Sequence, residues 1–192
     1  MVKKVNVLDL GSGSFPYRAK GNEQVTSIDF RPEVKPTIVH DLSDFPYPFE
    51  DNFFDVVYAS HIMEHLPDNV RFMEEIYRIA KPGARVIVRV PHYSGRSAWG
   101  DPTHLRAYSS YQFRYYSRNR KDHYGHCDFE PVRLELRYTR LPRGFLVTRI
   151  LSPMINFFAN LNVRFCEKVW CYWVGGFSEI FVELNTIKDG QT

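Results

Sequence analysis

The chain has 192 residues, 44% hydrophobic and 24% charged, enough for one domain with a substantial core. Its net charge of +3 is too small to argue for nucleic-acid binding, and no run of 18 apolar residues suggests a spanning helix. Three cysteines (Cys127, Cys166, Cys171) without a CxxC pair exclude a disulfide scaffold. They predict free thiols in a reducing compartment and hence a cytoplasmic protein, and no signal peptide is visible ahead of the first strand.

In chain order, Val5, Val7, Leu8 and Leu10 read as a short buried strand over 5–10. It carries Asp9 near its end, where a carboxylate is costly without a partner. Gly11 and Gly13 follow at once, in a turn that can bring backbone N–H groups close to a ligand. A second strand over 25–30 carries Asp29 and Phe30. An acid about 20 residues beyond a glycine turn is placed to bind ribose hydroxyls. A dinucleotide fingerprint would need a third glycine where Pro16 stands. The segment 12–24 is short for a crossover and allows a helix of a turn or two at most, which makes a poor pyrophosphate site. No GxxxxGK[ST] loop occurs, so a P-loop is excluded. A cofactor with ribose and adenine but no phosphate fits better, which points to S-adenosylmethionine. The glycines alone are equally compatible with a turn that binds nothing.

Further strands are predicted near 37–40, 54–59 and 84–90. Between the last two, Asp68 can cap a helix whose stripe is Val70, Met73, Ile76, Tyr77 and Ile79–Ala80, and Lys81-Pro82-Gly83 stops it. This alternation predicts an open, mostly parallel α/β sheet, with ligands beyond the carboxyl ends of its strands. Residues 91–131 show no regular period and read as a loop-rich cover with short helices. The segments 132–141 and 178–187 alternate as strands. Between them, 143–177 reads as an aromatic-rich helical insertion broken at Pro153 and at Gly175-Gly176.

Five stretches occur in order: LDLGSGS (8–14), SIDF (27–30), HDLSDFPYPFEDNFFDVVYASHIMEHL (40–66), RFMEEIYRIAKPGARVIVRVPHYS (71–94) and DPTHLR (101–106). Together they resemble the class I S-adenosylmethionine-dependent methyltransferases, type 11-like group. The resemblance implies a Rossmann-like, three-layer α/β/α domain over 1–192. Its sheet is mostly parallel, with an antiparallel strand near the carboxyl end. It also implies that the backbone around Gly11 and Gly13 holds the methionine part of the cofactor. Asp9 would orient that loop or reach the amino group through water. Asp29, with Phe30 beside it, would bind the ribose. Asp41 and Leu42 would contact the adenine, and Ser60 and His61 would line the site after the fourth strand. Phe15 replaces the last glycine of the usual GxGxG loop. With the chain opening at its first strand, substrate recognition is expected from covers at 91–131 and 143–177.

Transfer to oxygen needs a base, which suits histidine. His92 and His104 are the preferred candidates, then His61, with His65, Tyr93, Asp101 and Tyr108 shaping the acceptor site. For each histidine taken singly, holding a loop by hydrogen bonds is the stronger expectation. His61-Ile62-Met63-Glu64-His65 matches H-x-x-E-H, but at a strand-to-helix turn without a third ligand, and no metal is expected there. His123, His126, Cys127 and Asp128 lack a metal-binding frame. The basic–aromatic run 111–121 reads as a solvated loop before it reads as an RNA contact. No [DN]PP[YF] tetrapeptide follows the fourth strand, which counts against methylation of planar amines of DNA bases or glutamine. The segment 143–177 reads first as a helical cover or a homodimer interface, and second as a peripheral membrane contact. The expected function is methyl transfer to oxygen or nitrogen of a small or medium acceptor, with a lipid-like acceptor among the open alternatives. An RNA or protein methyltransferase and a non-catalytic cofactor-binding protein stay open.

Overall fold

The computed structural model describes residues 3–118, 125–138 and 146–188. The strands are β1 (Val5–Leu10), β2 (Glu23–Asp29), β3 (Ile38–Val39), β4 (Phe54–Ser60), β5 (Ala80–Pro91), β6 (Phe129–Tyr138) and β7 (Phe177–Thr186). They form one seven-stranded sheet in the order β3-β2-β1-β4-β5-β7-β6. β1 to β5 pair in parallel, and β7 runs antiparallel to both β5 and β6, as the sequence predicts. The chain leaves β1 for β2 on one side and for β4 on the other. The carboxyl ends of β1, β2 and β4 therefore open a crevice at the switch in strand order.

The helices are α1 (Asn69–Ile79), α2 (Arg96–Gly100), α3 (Leu146–Leu161), α4 (Val163–Phe165) and α5 (Cys171–Trp173). Asp68 caps α1 by accepting the Arg71 amide at 2.9 Å. The helix ends at Ile79, two residues short of the proline, and Ala80 is already extended. A residue before proline is pushed out of the helical region, so Lys81 cannot continue the turn. Instead its amine pairs with Asp55 at 2.7 Å. Phe72, Met73 and Ile76 of α1 and Ile155 and Ala159 of α3 pack against Leu8, Leu10, Val57, Val86 and Ile180. These strand residues share one face by the two-residue period of β-structure.

The opposite face carries Val7, Val56 and Ile87, flanked by Val5, Val25, Tyr58 and Phe181. Among the described residues its cover is Tyr17, whose ring lies 5.2 Å from that of Tyr58. The short segment after β1 forms no helix, in keeping with its length, and this loop supplies the layer on the second face.

One expectation fails. Pro153 does not break the insertion: α3 runs unbroken through it. Two side chains one turn apart explain the tolerance, because they tie α3 to the edge strand β6. Asn160 accepts the Leu136 amide at 2.8 Å and donates to its carbonyl at 2.9 Å, while Asn156 accepts the Tyr138 amide at 2.6 Å. They occupy backbone groups that an edge strand would otherwise expose. Gly175 and Gly176 do end the helical segment, both at positive φ. Residues 139–145, including the predicted end of the strand at 141 and the start of the insertion at 143, lie outside the described residues.

Candidate active site

Gly11 leaves β1 with φ +67°, and its amide donates to the Ile28 carbonyl at 2.9 Å. A Cβ there would stand 2.7 Å from Ile62 Cγ1, so both backbone and space require glycine. Gly13, at φ +52°, donates its amide to Asp29 Oδ2 at 2.8 Å. Asp29 Oδ1 accepts the Arg31 amide at 3.0 Å and its Nε at 3.3 Å. Burial works against ionisation of Asp29, but these donors outweigh it and hold the carboxyl below its ordinary range. A carboxylate offers about four acceptor positions, so a further donor can still be received.

Asp9 is buried and accepts the Tyr17 amide at 2.7 Å. That contact ties Asp9 to the loop after β1. Burial pushes its carboxyl up, with the Tyr17 amide opposing. Phe30 is exposed beside the turn with the Arg31 guanidinium over its ring. Asp41 is exposed and receives the Ser43 amide at 2.8 Å. Leu42 is buried in the core, and its carbonyl accepts the Tyr47 hydroxyl at 2.9 Å. Asp29, Asp41 and the two glycines thus stand at the ends of β1, β2 and β3, around one crevice.

Ser60 ends β4 opposite Arg89. His61 follows at φ +55°, a conformation that a non-glycine residue adopts at a cost and that marks a constrained site. Its Nδ1 lies 3.2 Å from Glu64 Oε1 and its Nε2 2.9 Å from Glu179 Oε2. Burial disfavours its charge, but Glu179 and Glu64 push the imidazole up to about 9. Both ring nitrogens are taken up by carboxylates, so the geometry of His61 fits a clamp better than the base expected from the sequence. Glu179 is the partner that sequence reading missed. It also binds Arg89 and Arg137, at 2.5 and 2.9 Å. In an alternating strand a glutamate reads as a solvated face, and nothing local shows that this one is buried.

His92 is also corrected. It is fully buried, with Nδ1 accepting the Ser94 amide at 3.2 Å and Nε2 3.1 Å from Glu167 Oε1. Glu167 in turn accepts the Ser110 amide and hydroxyl, each at 2.6 Å. Both ring nitrogens are spent joining the sheet to its helical cover. Tyr108 is fully buried with its hydroxyl 2.6 Å from the Asn69 side-chain amide, so it belongs to the core and not to an acceptor surface. Tyr93 is part-buried, and its hydroxyl donates to the Glu167 carbonyl at 3.0 Å.

The remaining candidates converge. His104 lies against His65, ring centroids 4.8 Å apart, and its Nε2 is 4.0 Å from Glu64 Oε1 and 3.9 Å from Asp101 Oδ2. Asp101 accepts the Thr103 amide and hydroxyl at 2.9 and 2.7 Å, and the same hydroxyl is 3.0 Å from His65 Nδ1. His65 and His104, 39 residues apart, meet because Leu105 donates its amide to the Glu64 carbonyl at 2.9 Å. Of the cluster 123–128, His123 lies outside the described residues and Cys127 is buried.

Residues 8–88 match the methyltransferase domain family of type 11. Among curated proteins, 41 residues are 46% identical to tocopherol O-methyltransferase of Arabidopsis thaliana, covering 21% of this chain and 12% of that protein. A stretch of 70 residues is 39% identical to ajmaline N-methyltransferase of Rauvolfia serpentina, covering 36% and 20%. The chain thus spans an eighth to a fifth of these relatives' length. Among solved structures, a SAM dependent methyltransferase from Archaeoglobus fulgidus superposes with a TM-score of 0.61 at 17% identity, over 95% of this chain and 86% of that one. That likeness establishes the Rossmann-like fold.

Proposed function

We propose that this chain, which belongs over residues 8–88 to the type 11 methyltransferase domain family, transfers a methyl group from S-adenosylmethionine to a small, lipid-like acceptor. The observation that carries the reading is the joint geometry of two positive-φ glycines and Asp29 across the ends of β1 and β2. A side chain at Gly11 would clash with Ile62, so the packing of the turn itself requires glycine there. Gly11 and Gly13 would flank the methionine part of the cofactor. Asp29 would receive a ribose hydroxyl, with the Arg31 guanidinium yielding its place on the carboxylate. Asp41 and the Leu42 backbone would meet the adenine. When bound, the cofactor supplies a methyl group on a positively charged sulfur. The protein's task is to align an acceptor atom behind that carbon and keep water out.

Oxygen and nitrogen acceptors are both supported, since the relatives include an O- and an N-methyltransferase. Of the three candidate histidines, His104 is the one we keep for the acceptor side, beside Asp101. A lipid-like acceptor is supported by a run of outward aromatics. Phe157, Phe158, Phe165, Tyr172 and Trp173 are all more than 60% exposed along α3 to α5. Aromatics at this density mark an interaction surface. Glu167 is the one acid between 146 and 176, and it points inward to His92, whereas Arg164 and Lys168 flank the patch. That charge pattern complements an anionic lipid surface, so we assign the patch to membrane contact. No helix among the described residues is long and apolar enough to cross a membrane.

Calorimetric titration with S-adenosylhomocysteine, with NAD as control, tests the cofactor. Micromolar binding of the first alone is expected. Binding of NAD instead, or of neither, overturns the reading. Binding without turnover on lipid, metabolite or RNA extracts would leave a binding protein, and turnover on RNA alone would replace the acceptor class.

A further inference from the structure

Glu64 is fully buried, and its Oε2 has no hydrogen-bond partner among the described residues. A buried carboxylate oxygen without a donor is destabilising, so it calls for a donor or a positive partner. One oxygen or nitrogen each of Glu64, His65 and His104 lie within 4.8 Å of one another, while His61 holds the carboxylate through Oε1 at 3.2 Å.

The tautomers of both rings follow from their other contacts. His104 Nδ1 lies 3.4 Å from the Ala98 carbonyl, which can only accept, so Nδ1 carries the proton and Nε2 the lone pair. The Thr103 hydroxyl donates its single proton to Asp101 Oδ1, and therefore accepts from His65 Nδ1. That leaves His65 Nε2 as its lone-pair nitrogen. Two imidazole lone pairs then face the Glu64 carboxylate, whose Oε2 has no donor, and at 4.0 Å the His104–Glu64 contact is too long for a hydrogen bond. Acceptors gathered in this way repel one another unless a cation sits among them. A ring N–H given to a carbonyl or hydroxyl is also the usual outer support of a metal-binding histidine.

We propose that Glu64, His65 and His104 bind one divalent transition-metal ion, with the remaining positions open. Two nitrogens and a carboxylate oxygen suit zinc-like ions better than magnesium or calcium. Metal–ligand distances of about 2.1 Å place ligands roughly 3–3.5 Å apart, so small side-chain rotations close the site. The ligands are not those of the H-x-x-E-H segment taken as a unit, because both ring nitrogens of His61 are already engaged, by Glu64 Oε1 and by Glu179. Sequence reading expected no metal because the third ligand arrives from 39 residues downstream. If the methyltransferase reading holds, the ion lies where it can bind an acceptor oxygen and lower its pKa, but the binding itself does not rest on that reading.

The test is titration of the chelator-treated full chain with Co(II), following its visible absorption bands, with metal per chain counted by mass spectrometry. One ion per chain at micromolar affinity is expected. His104→Ala and His65→Ala should abolish the bands, and Glu64→Gln should weaken binding at least tenfold, with circular dichroism showing that each variant is folded. Asp29→Ala should lose S-adenosylhomocysteine and keep the metal, which separates failure of the cofactor reading from failure of this one. Absence of Co(II) binding by the unmodified chain, or binding unchanged in both histidine variants, overturns the proposal.

Discussion

At the scale of single residues, Asp29 joins the glycine turn to the sheet. Replacing it with alanine removes the acceptor of the Gly13 and Arg31 amides and should weaken S-adenosylhomocysteine binding by about 1–3 kcal/mol, read by calorimetry. The same residue fixes a pH dependence. Its folded pKa is depressed, so its contribution is complete above the unfolded value near 3.9 and is lost as pH falls below that through the lower folded value. Urea denaturation at pH 7, 4 and 3 should therefore show a loss of stability in the last interval that is smaller in Asp29→Asn. An equal loss in both proteins would sink the assignment. The placement of Asp29 beside the glycine turn was legible in the sequence because it follows from local spacing. His61, His92 and Tyr108 were not, because their partners Glu179, Glu167 and Asn69 lie 118, 75 and 39 residues away. A histidine at a strand end has the same local appearance whether it faces a ligand or a buried glutamate.

At the scale of elements, α1 was readable almost to the residue, since a cap, a stripe and a proline stop are all local signals. Asp68→Ala should cost about 1 kcal/mol, or a melting temperature lower by roughly 2–4 °C, with cofactor binding unchanged. The continuation of α3 through Pro153 was not readable, because Asn156 and Asn160 act on the backbone of β6, far from the proline in sequence. The link between sheet and cover is a second element-scale device. Glu167 sits in a π-helical turn between α4 and α5 and gathers His92 and Ser110. Burial raises its carboxyl, yet His92 and Ser110 outweigh this and hold it low. Glu167→Ala leaves a buried histidine and serine without their partner, at a cost of about 3 kcal/mol. Limited proteolysis should then cut first within 146–176. Cutting elsewhere, or at an unchanged rate, would show that the cover is held by its apolar contacts alone.

For the whole molecule, the sheet order and strand directions followed from the alternation of elements and their hydrophobic runs. What covers each face did not, because that depends on the loop after β1 and on where the insertion folds. The insertion leaves Met154, Phe157, Phe158, Leu161 and Trp173 more than half exposed. Burying one such side chain stabilises association by about 1.5–3 kcal/mol, so four or five of them exceed what two cations can supply. The apolar part should thus set affinity, and Arg164 and Lys168 should set lipid preference. The protein should sediment with vesicles containing phosphatidylglycerol and much less with phosphatidylcholine alone. Phe157→Ser with Trp173→Ser should reduce binding at least tenfold at any salt. Arg164→Gln with Lys168→Gln should abolish only the anionic preference, and 0.5 M salt should reproduce that effect by screening. A second copy of the chain is the competing occupant. Light scattering that shows a dimer, dissociated by Phe157→Ser with Trp173→Ser and indifferent to vesicles, would transfer the patch from the membrane to a subunit interface.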